Sequence, residues 1–171
     1  MKKSVCLMAI LGALGASSAF AAETVAVRFT GTVVNSTCDV VVGSQGNTVH
    51  LGQISPEADK TGAMIPVTFS FSNCDHGQTL KTIKYVGGNN GGTDNPTDGT
   101  IGTTLKNVKI KLYTESSGKT YTPDVTVNKT FGPDANSAMI TPFFARLETG
   151  NGKQTDSGIV ESSALFELSY Q

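Results

Sequence analysis

Hydrophobic and polar residues alternate along the stretch from Glu23 to Cys38. Because successive side chains of a β-strand point to opposite faces, this period of two predicts an amphipathic strand. The residues on its apolar face are Val25, Val27, Phe29, Gly31 and Val33. Chain ends usually fray unless something holds them. An amphipathic strand this close to the N-terminus therefore raises the question of which strand it pairs with.

The last residues of the chain alternate in the same way. Ala164, Phe166, Leu168 and Tyr170 share one face of a predicted strand, and Leu165, Glu167 and Ser169 share the other. The chain thus begins and ends with predicted amphipathic strands. In an ordinary sandwich both strands would pair with neighbours in their own domain, and at this level that interpretation stays open.

The segments between the two ends also favour strands, and no long window shows a helical period. Strands are predicted at Val40–Val42, Val49–Ile54, Val67–Phe71, Leu80–Val86, Val108–Leu112, Val125–Val127, Ile140–Leu147 and Ile159–Tyr170. This many short strands with turn signals between them predict an all-β sandwich. The stretch Gly87–Gly102 is rich in Gly, Asn, Thr and Asp, which predicts one long surface loop.

The first 21 residues have the features of an export signal. Lys2 and Lys3 precede an apolar run at Val5–Leu14, and Ala19-Phe20-Ala21 offers a cleavage site. Cleavage after Ala19 remains an alternative to cleavage after Ala21. The apolar run is too short for a membrane span. Removing 21 of the 171 residues leaves 150, enough for one domain with a core.

The charge and the cysteine content reduce the number of possible function classes further. Removal of Lys2 and Lys3 lowers the basic count from 13 to 11 against 14 acids, and no basic run remains. This argues against nucleic acid and against an electrostatic membrane anchor. An exported chain that keeps only Cys38 and Cys74 predicts one disulfide. A metal or redox pair is disfavoured because no CxxC motif and no further ligand lies nearby.

No motif predicts catalysis or a cofactor. His50 and His76 are the only histidines, and the sequence offers no third ligand for a metal. The segment Asp94–Gly99 resembles a calcium loop only faintly, because Pro96 takes a ligand position and Leu105 replaces the bidentate glutamate. No nucleophile elbow, P-loop or dinucleotide fingerprint is present. We therefore expect a protein that is not an enzyme and holds no metal or cofactor.

Several short motifs occur in a fixed order along the chain. They are Phe29-x-Gly31-x-Val33-Val34 before Cys38, Leu51-Gly52, Phe69-x-Phe71-x-x-Cys74-Asp75, Pro142-Phe143-Phe144-Ala145-Arg146, Gly158, and the penultimate Tyr170. In this order, and on an exported chain of this length, the sequence resembles pilin subunits of chaperone–usher fimbriae, similar to the type 1 major pilins.

The resemblance implies an incomplete immunoglobulin-like sandwich that lacks its last strand. It divides the chain into a signal peptide (1–21), an N-terminal donor-strand extension (22–34) and a pilin domain (35–171). A hydrophobic groove then lies beside the C-terminal strand, with Ala164, Phe166, Leu168 and Tyr170 as acceptor residues. A periplasmic chaperone fills the groove first. The donor residues Val25, Val27, Phe29, Gly31 and Val33 of the next subunit fill it in the fibre.

The sequence therefore predicts a structural subunit of an adhesive surface fibre, exported through the periplasm. Its expected partners are a pilus chaperone, an outer-membrane usher and neighbouring copies of the same chain, in the role of major subunit. Two alternatives stay open: a minor or adaptor subunit, and a self-contained exported β-sandwich that binds a ligand. The N-terminal strand distinguishes a pilin subunit from the self-contained module, because only in the module does it pair within its own domain.

Overall fold

The computed structural model describes residues 38–43, 46–88, 94–133, 136–150, 152 and 154–171. The predicted signal peptide (1–21) and donor-strand extension (22–34) lie outside these residues. The described residues form eight strands, and none of them forms a helix that could cross a membrane. The strands are β1 (Asp39–Val42), β2 (Ile65–Ser72), β3 (Thr79–Gly87), β4 (Thr100–Ile101), β5 (Val108–Tyr113), β6 (Asp124–Thr130), β7 (Ala138–Thr149) and β8 (Leu165–Tyr170).

Two antiparallel sheets build the sandwich. One has five strands in the order β1-β2-β7-β5-β4, and the other has three in the order β6-β3-β8. Consecutive strands often lie in different sheets, as β2 and β3 do, so the chain crosses repeatedly between the layers. The predicted all-β, immunoglobulin-like sandwich is confirmed.

The alternation in β2 shows how the sequence produces the sandwich. Val67, Phe69 and Phe71 are buried, whereas Thr68 and Ser70 between them face outwards. β5 follows the same rule with Val108, Ile110 and Leu112 turned inwards. Each fully buried side chain of this size contributes about 1.5–3 kcal/mol relative to an exposed one. The period-two pattern thus fixes which face of each strand meets the core.

Phe166 joins the two sheets in the core. Its ring, on β8 of the three-stranded sheet, lies 5.2 Å from the ring of Phe69 and 5.5 Å from that of Phe143, both in the five-stranded sheet. Tyr85 on the adjacent strand β3 lies 5.7 Å away. Edge-to-face and tilted aromatic pairs at these distances add about 0.5–1.5 kcal/mol each beyond area burial. The aromatic cluster therefore packs β8 against the facing sheet, while β8 pairs with β3 within its own sheet.

The predicted disulfide joins Cys38 and Cys74, which are both buried. It ties the residue before β1 to the turn after β2, across a sequence separation of 36. The chain-entropy description gives about 4 kcal/mol of stabilisation for a loop of this size. The bond therefore anchors a strand of only four residues that would otherwise depend on one neighbour.

Two sequence-based strand predictions were wrong, and a predicted loop contains a short strand. Val49–Ile54 forms no strand, although Val49 and Leu51 pack against the core. The strand predicted at Ile159–Tyr170 begins only at Leu165. The predicted loop at Gly87–Gly102 is ordered at its end, where the carbonyl of Asn95 accepts hydrogen bonds from three following N–H groups and β4 pairs with β5. A periodic pattern shows which side chains are inward, but not whether a neighbouring strand supplies hydrogen bonds.

Candidate functional site

The sandwich has four sheet edges, and they differ in how they are protected. β4 has only two residues, and a short edge strand offers little to pair with. β6 pairs with β3 through a bulge and carries Asn128 in the left-handed conformation, with φ 53°. Bulges of this kind discourage edge-to-edge pairing. β1 and β8 have apolar inward faces, and the two register shifts in the β3–β8 pair place their extra residues on β3 and not on β8.

The outer edge of β8 presents main-chain groups away from β3. Gln171 exchanges both of its main-chain hydrogen bonds with Thr79, at the start of β3. Since main-chain groups alternate in direction along an antiparallel strand, those of Phe166 and Leu168 point to the opposite edge. Among the strands that the structure describes, β8 pairs only with β3.

The outer edge of β1 likewise presents main-chain groups that point away from β2. The Gly43 N–H donates to the Thr68 carbonyl at 2.8 Å, so the main-chain groups of Val40 and Val42 point away from β2. Within the described part of the chain, β2 is the single strand neighbour of β1. The side chains of Val40 and Val42 are half-buried against the core.

A cavity of about 450 Å³ lies between these two edges. Val40 and Val42 line one side, Phe166 and Leu168 line the other, and core residues of the five-stranded sheet such as Phe69 form the floor. The full lining is Val40, Val42, Asn47, Val49, Leu51, Val67, Phe69, Ile101, Ile110, Leu112, Ala145, Ser162, Ser163, Ala164, Leu165, Phe166 and Leu168. We call this cavity, with the two edges beside it, the edge groove.

A second cavity of about 1050 Å³ extends the edge groove and shares Val49, Leu51, Ile110 and Ser162 with it. Its walls come from two segments that lie outside the eight strands, 48–56 and 155–162. Thr104 holds the second segment: its N–H donates to the Glu161 carbonyl, and its hydroxyl oxygen accepts from the Glu161 N–H. The groove therefore continues beyond the ends of β1 and β8.

The electrostatics of the edge groove suit an apolar occupant. None of the residues that line the 450 Å³ cavity is ionisable, and its polar side chains are Asn47, Ser162 and Ser163. An apolar, uncharged cleft binds apolar side chains because no charged group loses its hydration when water leaves.

The groups with shifted pKa values lie elsewhere. Burial alone would raise the pKa of Glu148, but hydrogen bonds from Tyr113 and Arg146 and the nearby positive charges outweigh it, so this pKa is lowered. Burial and the charge of Asp98 raise the pKa of Tyr121 to about 12. Both groups serve contacts within the domain: Tyr121 donates to the Pro96 carbonyl at 2.8 Å.

The structure places the predicted acceptor residues as follows. Ala164, Phe166 and Leu168 line the edge groove, whereas Tyr170 packs against the core at the end of β8. The predicted donor residues Val25, Val27, Phe29, Gly31 and Val33 lie outside the described residues. No group of three or more potential metal ligands occurs among the residues that the structure describes.

Sequence reasoning missed the opposite wall of the groove, formed by Val40, Val42, Val49 and Leu51. The signal was present in the alternation Val49-x-Leu51, which gives two half-buried side chains without a strand. A row of half-buried apolar side chains beside a segment outside any strand indicates a binding surface for another chain.

Comparisons with known proteins agree with this architecture. A family model described as "Fimbrial protein" matches residues 27–171. The chain is 39% identical over 105 residues to "Fimbrial protein 987P" of Escherichia coli, covering 55% of this chain and 53% of the relative. It thus spans about half the length of that curated relative.

Two solved structures are similar at low sequence identity. The P pilus rod subunit PapA has a TM-score of 0.49 at 18% identity, covering 85% of this chain and 100% of the other. A subunit of a chaperone–usher pilus has a TM-score of 0.48 at 16% identity, covering 87% and 96%. Since the family model alone spans most of the sequence, the chain belongs to the fimbrial protein family, the chaperone–usher pilin subunits that its motifs indicated.

Proposed function

We propose that this pilin polymerises by donor-strand exchange, in which the strand Val25–Val33 of one subunit enters the edge groove of the next. The observation that carries the proposal is the pair of edges β1 and β8, which have no second strand neighbour in the described part of the chain and line an uncharged apolar cavity. A strand that enters between them can form main-chain hydrogen bonds and bury alternate side chains on the Phe69 floor.

The dimensions of donor and groove are compatible. Nine extended residues from Val25 to Val33 span roughly 30 Å, and the six residues of β8 span roughly 20 Å. The segment 155–162, which precedes β8 and lines the second cavity, provides the additional length. The donor therefore matches the groove formed by β8 together with this segment.

The energetics support a stable contact. Burying the four large apolar donor side chains contributes about 6–12 kcal/mol before the costs of ordering and association. Gly31 lacks a side chain and permits close backbone approach where a groove is shallow. The same exposed edge would be an aggregation hazard before assembly, which gives a periplasmic chaperone a reason to cover it.

The contact is heterologous, because the donor and the groove are different surfaces of one chain. Such a contact does not close on itself, so its repetition produces a filament. We assign the chain the role of major subunit in an adhesive homopolymer. Its chaperone acts in the periplasm and its usher lies in the outer membrane. The protein acts by assembly and not by catalysis.

Deleting residues 23–33 tests the proposal. We expect the shortened chain to fold with an intact Cys38–Cys74 bond and to bind the chaperone, but not to polymerise. Phe29→Asp should have the same effect, whereas Thr30→Asp on the opposite face of the strand is the matched control and should polymerise. Cell-surface fractions run in SDS before and after harsh heating report the polymer as a ladder. Normal fibres from the shortened chain would contradict the proposal, and loss of the domain's fold would favour the self-contained sandwich.

A further inference from the structure

The exposed large hydrophobic side chains in the described part of the chain fall into two groups. Val86, Ile159 and Leu165 lie at or near the start of β8, and Ile159 and Leu165 are 81% and 61% exposed. Val41 and Met139 form the other group, on β1 and β7. Single exposed apolar residues are common on protein surfaces, whereas a group of them indicates a contact surface.

The first group lies at one end of the edge groove. Leu165 pairs with Gly87 across β3 and β8, so it lies next to Val86 on the outer face of this sheet. Leu165 also lines the 450 Å³ cavity, and Ile159 lines the second cavity. We call Val86, Ile159 and Leu165 the rim patch, because they border the groove at the end where β8 begins.

The second group lies close to the point where the described chain begins. Val41 pairs with Ser70, and Ser70 pairs with Met139, so the three residues form one row across β1, β2 and β7. The row lies on the face of the sheet that points away from the core, and it is about 10 Å long at the usual strand spacing. Cys38, which the disulfide anchors, precedes Val41 by three residues. We call Val41 and Met139 the entry patch.

In the proposed exchange, the donor strand leaves the groove at the rim patch. The strand pairs of the described sandwich are all antiparallel, and antiparallel pairing is slightly more stable per residue than parallel pairing. A donor strand antiparallel to β8 places its last residue, Val33, at the end of the groove where β8 begins. Residues 34–37 connect Val33 to Cys38, and this connection spans at most about 18 Å. The domain that supplies the donor is thus confined to this end of the acceptor.

We propose that the entry patch of the subunit that supplies the donor strand docks on the rim patch of the subunit that receives it. This inference rests on the proposed donor-strand exchange and adds a direct contact between the two domains. The short linker selects the occupant, because it brings the start of β1, and with it Val41, close to Leu165 of the acceptor. No ionisable residue belongs to either patch, so the contact removes no charge from water.

This contact sets the angle between successive subunits of the fibre. A linker of four residues alone allows the two domains many orientations, whereas two docked patches select one. Because the rim patch and the entry patch are different surfaces of one chain, the same contact repeats along the fibre without closing.

A dimer with one donor and one groove isolates this contact from contacts between more distant subunits. Leu168→Asp disables the groove of the chain that supplies the donor, and Phe29→Asp disables the donor of the chain that supplies the groove. The photo-reactive residue p-benzoylphenylalanine replaces Met139 in the donor-supplying chain. After irradiation, mass spectrometry of the full-length chains should find cross-links to acceptor peptides that contain the rim patch. The same probe at Thr126, an exposed residue of β6 outside both patches, is the control and should give no such cross-links.

A charge placed in the entry patch tests the contact by a second measurement. Met139→Asp in the donor-supplying chain should make the dimer dissociate at least about fivefold faster, because a charge then enters an apolar contact. Thr126→Asp carries the same charge outside both patches and should leave the rate unchanged. The rate in guanidinium is followed as the fraction of dimer that remains on an SDS gel without heating.

The outcomes separate this docking from the exchange on which it rests. No cross-links from the probe at Met139 to the rim patch, or equal dissociation rates for Met139→Asp and Thr126→Asp, would overturn the proposal. Cross-links to the rim patch that form in full fibres but not in the dimer would also overturn it, since they join subunits that are not adjacent. If Met139→Asp does not fold, the cross-links decide. The absence of any SDS-resistant dimer before these changes would instead refute donor-strand exchange itself, and the docking with it.

Discussion

At the scale of single residues, partial burial identifies the binding surface. Phe166 touches aromatic rings of both sheets, yet it is only half-buried because one side of it lines the edge groove. Leu168 and Val42 are half-buried for the same reason. Residues such as Phe69, at 1% exposure, complete the floor and belong to the stable core. The two groups respond differently to substitution.

Phe69→Ala should lower the free energy of unfolding by about 3–5 kcal/mol, because it leaves a cavity under both sheets. Denaturant titration followed by circular dichroism measures the change. Met139→Ala is the control, since Met139 is 77% exposed and its loss should change stability by less than about 0.5 kcal/mol. Equal effects of the two substitutions would contradict the assigned core.

Glu148 should make the domain sensitive to acid. It accepts hydrogen bonds from the Tyr113 hydroxyl at 2.6 Å and from Arg146 at 2.8 Å, and its pKa is lowered below 4.5. A carboxylate with a lowered pKa in the folded state stabilises the fold above its unfolded pKa and loses that contribution as pH falls through the folded pKa.

We therefore expect the difference in melting temperature between wild type and Glu148→Gln to shrink as the pH falls below 4.5, with wild type more stable at neutral pH. Thermal melts from neutral pH down to about pH 2 measure it, because the contribution is lost as the pH falls through the lowered folded pKa. A constant difference across this range would show that Glu148 does not carry the effect.

At the scale of elements, the alternating pattern predicted most strands well. Val67–Phe71 and Val108–Leu112 lie inside β2 and β5, because each has a buried face and two sheet neighbours. The pattern failed at Val49–Ile54, which has an inward apolar row but no strand partner in the described chain. Of the site, the β8 side was predicted and the opposite wall was not. The Val42 N–H donates to the Asn47 side chain, and this contact depends on the turn that follows β1. The hydrophobic pattern carries no information about that turn.

The short strand β1 depends on the bond between Cys38 and Cys74. Cys38→Ser should lower the free energy of unfolding by about 4 kcal/mol and reduce the yield of subunit in the periplasm. The double change at Cys38 and Cys74 should cost the same as the single change, because either one removes the bond. Unchanged thermal stability in Cys38→Ser would contradict a stabilising role.

At the scale of the whole molecule, the four edges of the described sheets are of two kinds. β4 and β6 are short or bulged, while β1 and β8 border the apolar cavity. In the proposed assembly, the edge groove is the acceptor surface of the subunit and the N-terminal strand is its donor surface. A chain with two non-equivalent surfaces assembles head to tail.

Two complementary defects test this polarity most directly. Phe29→Asp disables the donor and leaves the groove intact, whereas Leu168→Asp disables the groove and leaves the donor intact. Each folded variant alone should give monomers on an SDS gel without heating. Their mixture should give one SDS-resistant dimer and nothing larger, because the donor of the Leu168→Asp chain fills the groove of the other. Ladders from either variant alone, or only monomers from the mixture of folded chains, would contradict assembly by donor-strand exchange.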